Sequence, residues 1–190
     1  MPIVNEKNRG YFKIKGAMSA FNFDFKNKIV LDIGSSTGGF TELALESGAQ
    51  KVIAVEKGTN QMKAPLRFSP RIDLHEKTDI FYFKLSPEDK LDVIVADVSF
   101  LSLRKILKYA QIHLANEKTE FLVMLKPQFE ARPDQLNKGI VKNEKIRREI
   151  ITDFEKWLKE NHFIIHKKRD NELRGRNGNL ERFYFLKIEK

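Results

Sequence analysis

Between the first apolar run of the chain and its first helical pattern lies Asp32-Ile33-Gly34-Ser35-Ser36-Thr37-Gly38-Gly39-Phe40. Glycines placed directly after a strand let the backbone approach a nucleotide at the sheet edge where α/β folds bind ligands. Glu56 closes a second apolar run, twenty-two residues after Gly34, where a carboxylate would accept hydrogen bonds from ribose hydroxyls. Asp79, after a third run, falls where such a fold meets an adenine ring. The set indicates a cofactor that carries adenosine. A dinucleotide fingerprint needs Gly at 34, 36 and 39, but position 36 is Ser, which argues against a nicotinamide-dependent oxidoreductase. Other charged residues stand at the ends of later runs: Asp97 in Val95-Ala96-Asp97-Val98-Ser99-Phe100 and Lys126 in Lys126-Pro127-Gln128-Phe129-Glu130. Glu181 ends the turn Gly175-Arg176-Asn177-Gly178-Asn179-Leu180-Glu181.

The elements that must position these groups alternate between apolar runs and helical patterns, the mark of a parallel sheet with crossover helices. Residues 28–33, 51–56, 72–76, 91–96 and 120–125 read as strands. Helices are expected over 37–47, with Phe40, Leu43 and Ala44 on one face, and over 103–114. A long loop from Pro127 to Val141 follows; its length suggests a functional lid. Asn143 caps an amphipathic helix running to about Asn161, with Ile146, Ile150, Phe154, Trp157 and Leu158 at helical spacing. Residues 163–166 and 183–188 form a closing hairpin around the Gly/Asn/Arg-rich turn. If the sixth strand runs parallel and the seventh returns, Asp97, Lys126 and Glu181 meet at the carboxyl edge beside the glycine loop.

The chain has 190 residues and a net charge of +9. Residues 1–30 hold six basic and two acidic side chains, residues 31–140 fifteen of each, and residues 141–190 fourteen basic and nine acidic. The excess sits at both ends, a balance that fits a polyanion partner or a solubilising surface. Fifteen Phe speak against disorder. No run is long enough to span a membrane and no signal-peptide core leads the chain, so a cytoplasmic location is expected. With no Cys, thiol chemistry and Cys-based zinc sites are excluded. The four His are scattered, and no metal is expected.

The glycine loop, as D-x-G-x-S-x-G-G, resembles motif I of the S-adenosylmethionine methyltransferases. Together with R-G-x-x-K (Arg9 to Lys13), V-A-D-V-S-F, L-K-P-Q-F-E, K-G-x-V (Lys138 to Val141) and G-x-x-G-N-x-E, the chain resembles the hemolysin-A-like branch of the FtsJ-like ribosomal RNA 2′-O-methyltransferases. The resemblance covers about Arg9 to the C-terminus. It implies an α/β, Rossmann-like methyltransferase fold of about seven strands, mostly parallel with an antiparallel last strand. It divides the chain into a basic N-terminal segment, 1–26, packing on or leading into a methyltransferase domain, 27–190. Such members carry an S4-like RNA-binding domain ahead of R-G-x-x-K, whereas eight residues precede Arg9 here; a shortened member or an isolated catalytic domain is expected.

The resemblance also implies a catalytic tetrad of Lys13, Asp97, Lys126 and Glu181. Lys126 would be general base toward the ribose 2′-hydroxyl, with Asp97 orienting it. Glu181 would hold Lys13 or Lys126, unless it pairs with Arg174, Arg176 or Arg182. Asp32, Gly34, Ser35, Ser36, Thr37, Gly38, Gly39, Phe40, Glu56, Asp79 and Asp97 would surround S-adenosylmethionine. Ribosomal RNA or a ribosomal subunit is the implied partner, and Phe129, Arg132 and Lys138 of the long loop offer an aromatic ring and cations to a splayed nucleotide. Two other readings remain: an RNA- or ribosome-binding protein without turnover, and a hemolysin-type membrane-active protein.

Overall fold

The computed structural model describes residues 7–175 and 177–189; Arg176, one of the expected partners of Glu181, and the first six residues of the basic segment lie outside them. In chain order the elements are α1 (Arg9–Phe21), β1 (Ile29–Ile33), α2 (Gly39–Glu46), β2 (Lys51–Val55), β3 (Ile72–His75), β4 (Val93–Ala96), α3 (Leu103–His113) and β5 (Glu120–Leu125). Then come β6 (Leu136–Asn137), β7 (Ile140–Val141), α4 (Glu144–Glu160), β8 (Phe163–Asp170) and β9 (Arg182–Ile188). The main sheet runs β3-β2-β1-β4-β5-β9-β8. Its first five strands are parallel, and β9 is antiparallel to both β5 and β8. This is the expected Rossmann-like methyltransferase fold of seven strands, mostly parallel, with β9 as the returning antiparallel strand.

Strands covered on both faces read as unbroken apolar runs, and β4 is buried throughout its Val-Ile-Val-Ala. One face packs against α3 and α4, where Leu103, Ile106, Leu107, Ile151, Phe154 and Leu158 meet Leu31, Ile94 and Phe121. The other packs against α1 and α2 through Ile14, Ala17, Phe21, Phe40, Leu43 and Ala44. Asn143 caps α4 as expected, its side chain accepting the N–H of Ile146. The closing strand β8 continues four residues beyond the expected hairpin arm, to Asp170.

Helix α1 has no counterpart among the expected elements. Gly10 and Gly16 weaken its helical signal, and Lys13 interrupts the apolar stripe of Tyr11, Ile14, Ala17 and Phe21. Its N-terminus is capped by Asn8 and its C-terminus ends in Asn22, whose φ of 49° closes the last turn. The long loop after β5 is also more ordered than a plain connector. It holds two short 3-10 turns, Pro127–Phe129 and Pro133–Gln135, and the small β6–β7 ribbon.

Register places the functional ends together. Ile33 pairs with Ala96 and Ala96 with Val123, so β1, β4 and β5 leave the sheet on one side. Leu125 pairs with Arg182, which sets Glu181 at the same edge as Lys126 although they are 55 positions apart in the chain.

Candidate active site

Lys13, Asp97, Lys126 and Glu181 all line one cleft of about 500 Å³. They form two ion pairs. Lys126 Nζ lies 2.6 Å from Asp97 Oδ1 and donates a hydrogen bond to the Ser99 hydroxyl at 2.9 Å. Lys13 Nζ donates to Glu181 Oε2 at 2.5 Å, with side-chain exposures of 8% and 3%. Glu181 therefore holds Lys13, not Lys126, Arg174 or Arg182. Lys15, two residues further along, is exposed and lies over the Tyr11 ring, 5.8 Å from its centroid. An amine this deep is kept in place by its carboxylate, because an unpaired buried charge is costly.

A second cavity, also about 500 Å³, adjoins the cleft and shares Gly34, Ser36, Asp97, Ser99 and Phe100 with it. Its walls are Val55, Ile80, Phe81, Val98 and Ile106, with Glu56 and Asp79 at polar positions. Glu56 Oε2 accepts the Ser36 N–H at 2.9 Å and Oε1 the Gly58 N–H at 2.6 Å. Each carboxylate oxygen keeps a lone pair for a further donor. Asp79 accepts the Phe81 N–H and pairs with the exposed Lys57 at 3.0 Å.

The glycine loop divides into residues that face these cavities and residues that support them. Gly34, Ser35, Ser36, Thr37, Gly39 and Phe40 line one or both. Asp32 and Gly38 line neither. Asp32 is fully buried beneath the loop, accepting the Thr41 hydroxyl at 2.6 Å through Oδ2, while Oδ1 has no hydrogen-bond partner among the described residues. Burial pushes its carboxyl up to about 7; the Thr41 hydrogen bond opposes that rise and the charge of Asp97 adds to it. Two glycines answer to packing. A Cβ on Gly34 would meet the Asp97 carbonyl at 3.1 Å, and one on Gly39 would fall 2.1 Å from the Asn8 side chain that caps α1.

The seven-stranded, mostly parallel sheet with its antiparallel last strand is a methyltransferase fold, and the FtsJ-like methyltransferase model matches residues 7–188. The chain belongs to the FtsJ-like methyltransferase family. It is 37% identical to a Campylobacter jejuni relative, the 23S rRNA (cytidine-2′-O)-methyltransferase TlyA, over 94% of this chain and 69% of that one. It is 33% identical to the Mycobacterium tuberculosis 16S/23S rRNA (cytidine-2′-O)-methyltransferase TlyA, covering 96% of this chain and 68% of the relative. Among solved structures, a hemolysin-type protein from Streptococcus thermophilus superposes with a TM-score of 0.92 at 31% identity, over 98% of this chain and 68% of that one. The match lies in the hemolysin-A-like branch of the family, and the chain spans about two thirds of the length of these relatives.

Several residues of the family motifs acquire a structural reason. Glu130, the last residue of L-K-P-Q-F-E, caps α3: it accepts the Ser102 hydroxyl at 2.7 Å and the Leu103 N–H at 2.6 Å, and burial raises its pKa. Gly175 leaves room for Glu181, since a Cβ there would lie 2.8 Å from Oε1. Phe100 was part of a motif without a role. It is 92% exposed, adopts φ 62°, and stands 5.3 Å from the Phe129 ring at the rim the two cavities share. A bulky residue held at positive φ with its ring in solvent is strained without a packing reward. Its exposure could not be read from an apolar residue type. Among the described residues no helix is long and apolar enough to cross a membrane, and no group of three His, Asp or Glu could hold a metal ion.

Proposed function

We propose that this chain methylates a ribose 2′-hydroxyl of ribosomal RNA, using S-adenosylmethionine and the tetrad Lys13, Asp97, Lys126 and Glu181. The observation that carries the reading is the junction at Asp97. This carboxylate faces both the cavity suited to an adenosine cofactor and the cleft that holds both lysines. The names of the TlyA relatives, which are ribosomal RNA cytidine-2′-O-methyltransferases, supply the substrate class.

The residues fit the cofactor. The apolar walls of the first cavity suit a flat purine, Glu56 has lone pairs free for ribose hydroxyls, and its volume falls in the range of small-molecule sites. Gly34, Ser35, Ser36, Thr37 and Gly39 would lie along the remainder of the molecule, with Asp79 near the base. When bound, S-adenosylmethionine supplies a methyl group on a positively charged sulfonium, which the Asp97 carboxylate favours electrostatically.

A ribose hydroxyl is a poor nucleophile and must be aligned and relieved of its proton. Lys126 lines the cleft, steered by Asp97 and Ser99, and would hold the hydroxyl oxygen and, in its neutral amine form, take the hydroxyl proton as the oxygen gains the methyl. Lys13, fixed by Glu181, adds a cation that stabilises the negative charge developing on that oxygen. Phe100 and Phe129 present aromatic faces on which an unstacked base can rest.

The test is transfer of labelled methyl from S-adenosylmethionine to unmodified ribosomal subunits and to their extracted RNA, with product nucleosides identified. The expected label is 2′-O-methylribose. Lys126→Ala should lower the rate by about 10³-fold or more while leaving cofactor affinity within about twofold. Cofactor binding without transfer to any ribosomal RNA would replace this reading with an RNA-binding role, and full activity in Lys126→Ala would remove that residue from the mechanism.

A further inference from the structure

The K-G-x-V and G-x-x-G-N-x-E motifs meet through one side chain, Asn179, which reaches Gly139 forty positions earlier in the chain. Asn179, 5% exposed, accepts the Val141 N–H at 3.0 Å through Oδ1 and donates to the Gly139 carbonyl at 3.0 Å through Nδ2. The ribbon it grips has two residues per strand, paired Leu136 to Val141 and Asn137 to Ile140, joined by Lys138 and Gly139 at φ 47° and 78°. Positive φ at both central residues defines the tight hairpin turn that matches strand twist. So short a ribbon cannot hold its own position in water. The Lys142 N–H closes its open end on the Gln135 carbonyl, leaving the outward Val141 N–H and Gly139 carbonyl to Asn179.

The turn that carries Asn179 has independent support. Its backbone is closed by the Gly175 N–H on the Asn179 carbonyl and the Gly178 N–H on the Gly175 carbonyl, and Arg147 donates to the Leu180 carbonyl at 3.1 Å. Glu181 therefore keeps its hold on Lys13 when the Asn179 side chain is removed, while the ribbon loses its anchor. Asn179 lines the tetrad cleft and also a neighbouring cavity of about 200 Å³ between the ribbon, the start of α4 and the turn. Lys138 at the ribbon tip and Arg174 on the turn are both exposed.

We infer that Asn179 is a positioning residue that latches the β6–β7 ribbon against the catalytic turn, so that the ribbon and turn together receive the RNA backbone next to the target ribose. The inference rests on the RNA methyltransferase reading above. Cations beside the cleft contact phosphates and set the register of the strand, without taking part in the chemistry.

Three variants of the full chain test it: Asn179→Ala, Asn179→Asp, and Val141→Pro, which deletes the N–H from the other side of the latch. Val141→Pro should raise the RNA KM about tenfold, the effect of about one lost hydrogen bond, and Asn179→Ala, which removes both bonds, at least as much. Both should keep kcat and S-adenosylmethionine affinity within about twofold, and speed amide exchange over residues 136–141. The double variant should be no worse than the worse single, and Asn179→Asp, which keeps the acceptor for Val141, should fall between wild type and alanine. A fall in kcat at unchanged RNA KM, weakened cofactor binding, or wild-type kinetics in Val141→Pro would each overturn the latch. If the wild type transfers no methyl, the functional reading fails. Amide exchange and affinity for a ribosomal RNA fragment then decide the latch, and no change in either for Asn179→Ala would overturn it.

Discussion

The two cavities that meet at Asp97 are built in different ways. The one suited to the cofactor is made of strand ends, a tight loop and backbone groups: Glu56 accepts N–H groups of Ser36 and Gly58, and Gly34 passes against the Asp97 carbonyl. The tetrad cleft is held by side chains from α1, β4, β5 and the β8–β9 turn, including a pair whose partners are 168 residues apart. A substitution on the first side should leave the frame standing and weaken a ligand. A substitution on the second should disturb chemistry and fold together, because each charge there is another's counter-ion.

The largest expected effect in this contrast belongs to Glu181. Glu181→Gln leaves the Lys13 ammonium buried without its carboxylate, at a cost of about 3 kcal/mol in unfolding free energy by denaturant titration, with methyl transfer lost in parallel. Replacing both partners by apolar residues, as in Lys13→Met with Glu181→Leu, should recover most of that stability and none of the activity. Stability that stays low in the double variant would show that the pair does more than neutralise itself. Activity that returns would remove Lys13 and Glu181 from the chemistry.

Asp32 provides a smaller effect from the cofactor side. An unfolded Asp titrates near 3.9, and burial raises the folded group to about 7. A raised carboxyl favours the folded state when protonated, so its contribution is greatest at acid pH and is lost as pH rises through about 7. Asp32→Asn removes that dependence. Between pH 5 and pH 8 the wild type should lose about 2–3 kcal/mol of stability relative to the variant. A constant difference across that range would mean that the carboxyl titrates normally despite its burial.

The same contrast explains what was legible in the sequence. The parallel strands, α3, α4 and the Asn143 cap follow from local pattern, and the register of those strands brings Asp97 and Lys126 together with no further information. Helix α1 was hidden because its buried face includes Lys13, whose place depends on a carboxylate at the far end of the chain. The Gly38-Gly39 pair was legible as a loop of unusual freedom, but the space Gly39 leaves is taken by Asn8 of α1, a contact no local pattern encodes. Phe100 shows the reverse problem, since an apolar residue type predicts burial and the ring stands in solvent. Local rules recover the half of the site made by backbone and miss what depends on partners distant in sequence.

Glu56 gives the smallest effect and the sharpest division between the two sides. Glu56→Gln keeps an oxygen for one backbone N–H but places an amide NH₂ against the other, so the loop loses one acceptor and the ribose hydroxyls lose a charged one. S-adenosylmethionine affinity should fall about tenfold, or about 1.4 kcal/mol by calorimetry. At saturating cofactor, kcat should stay within about twofold of wild type, because Glu56 lines the cavity proposed for the cofactor and not the cleft of the two lysines. A kcat that stays depressed at saturation would mean that the loop carries its distortion through Ser36 and Gly34 to Asp97. The two cavities would then act as one site, whose halves cannot be perturbed separately.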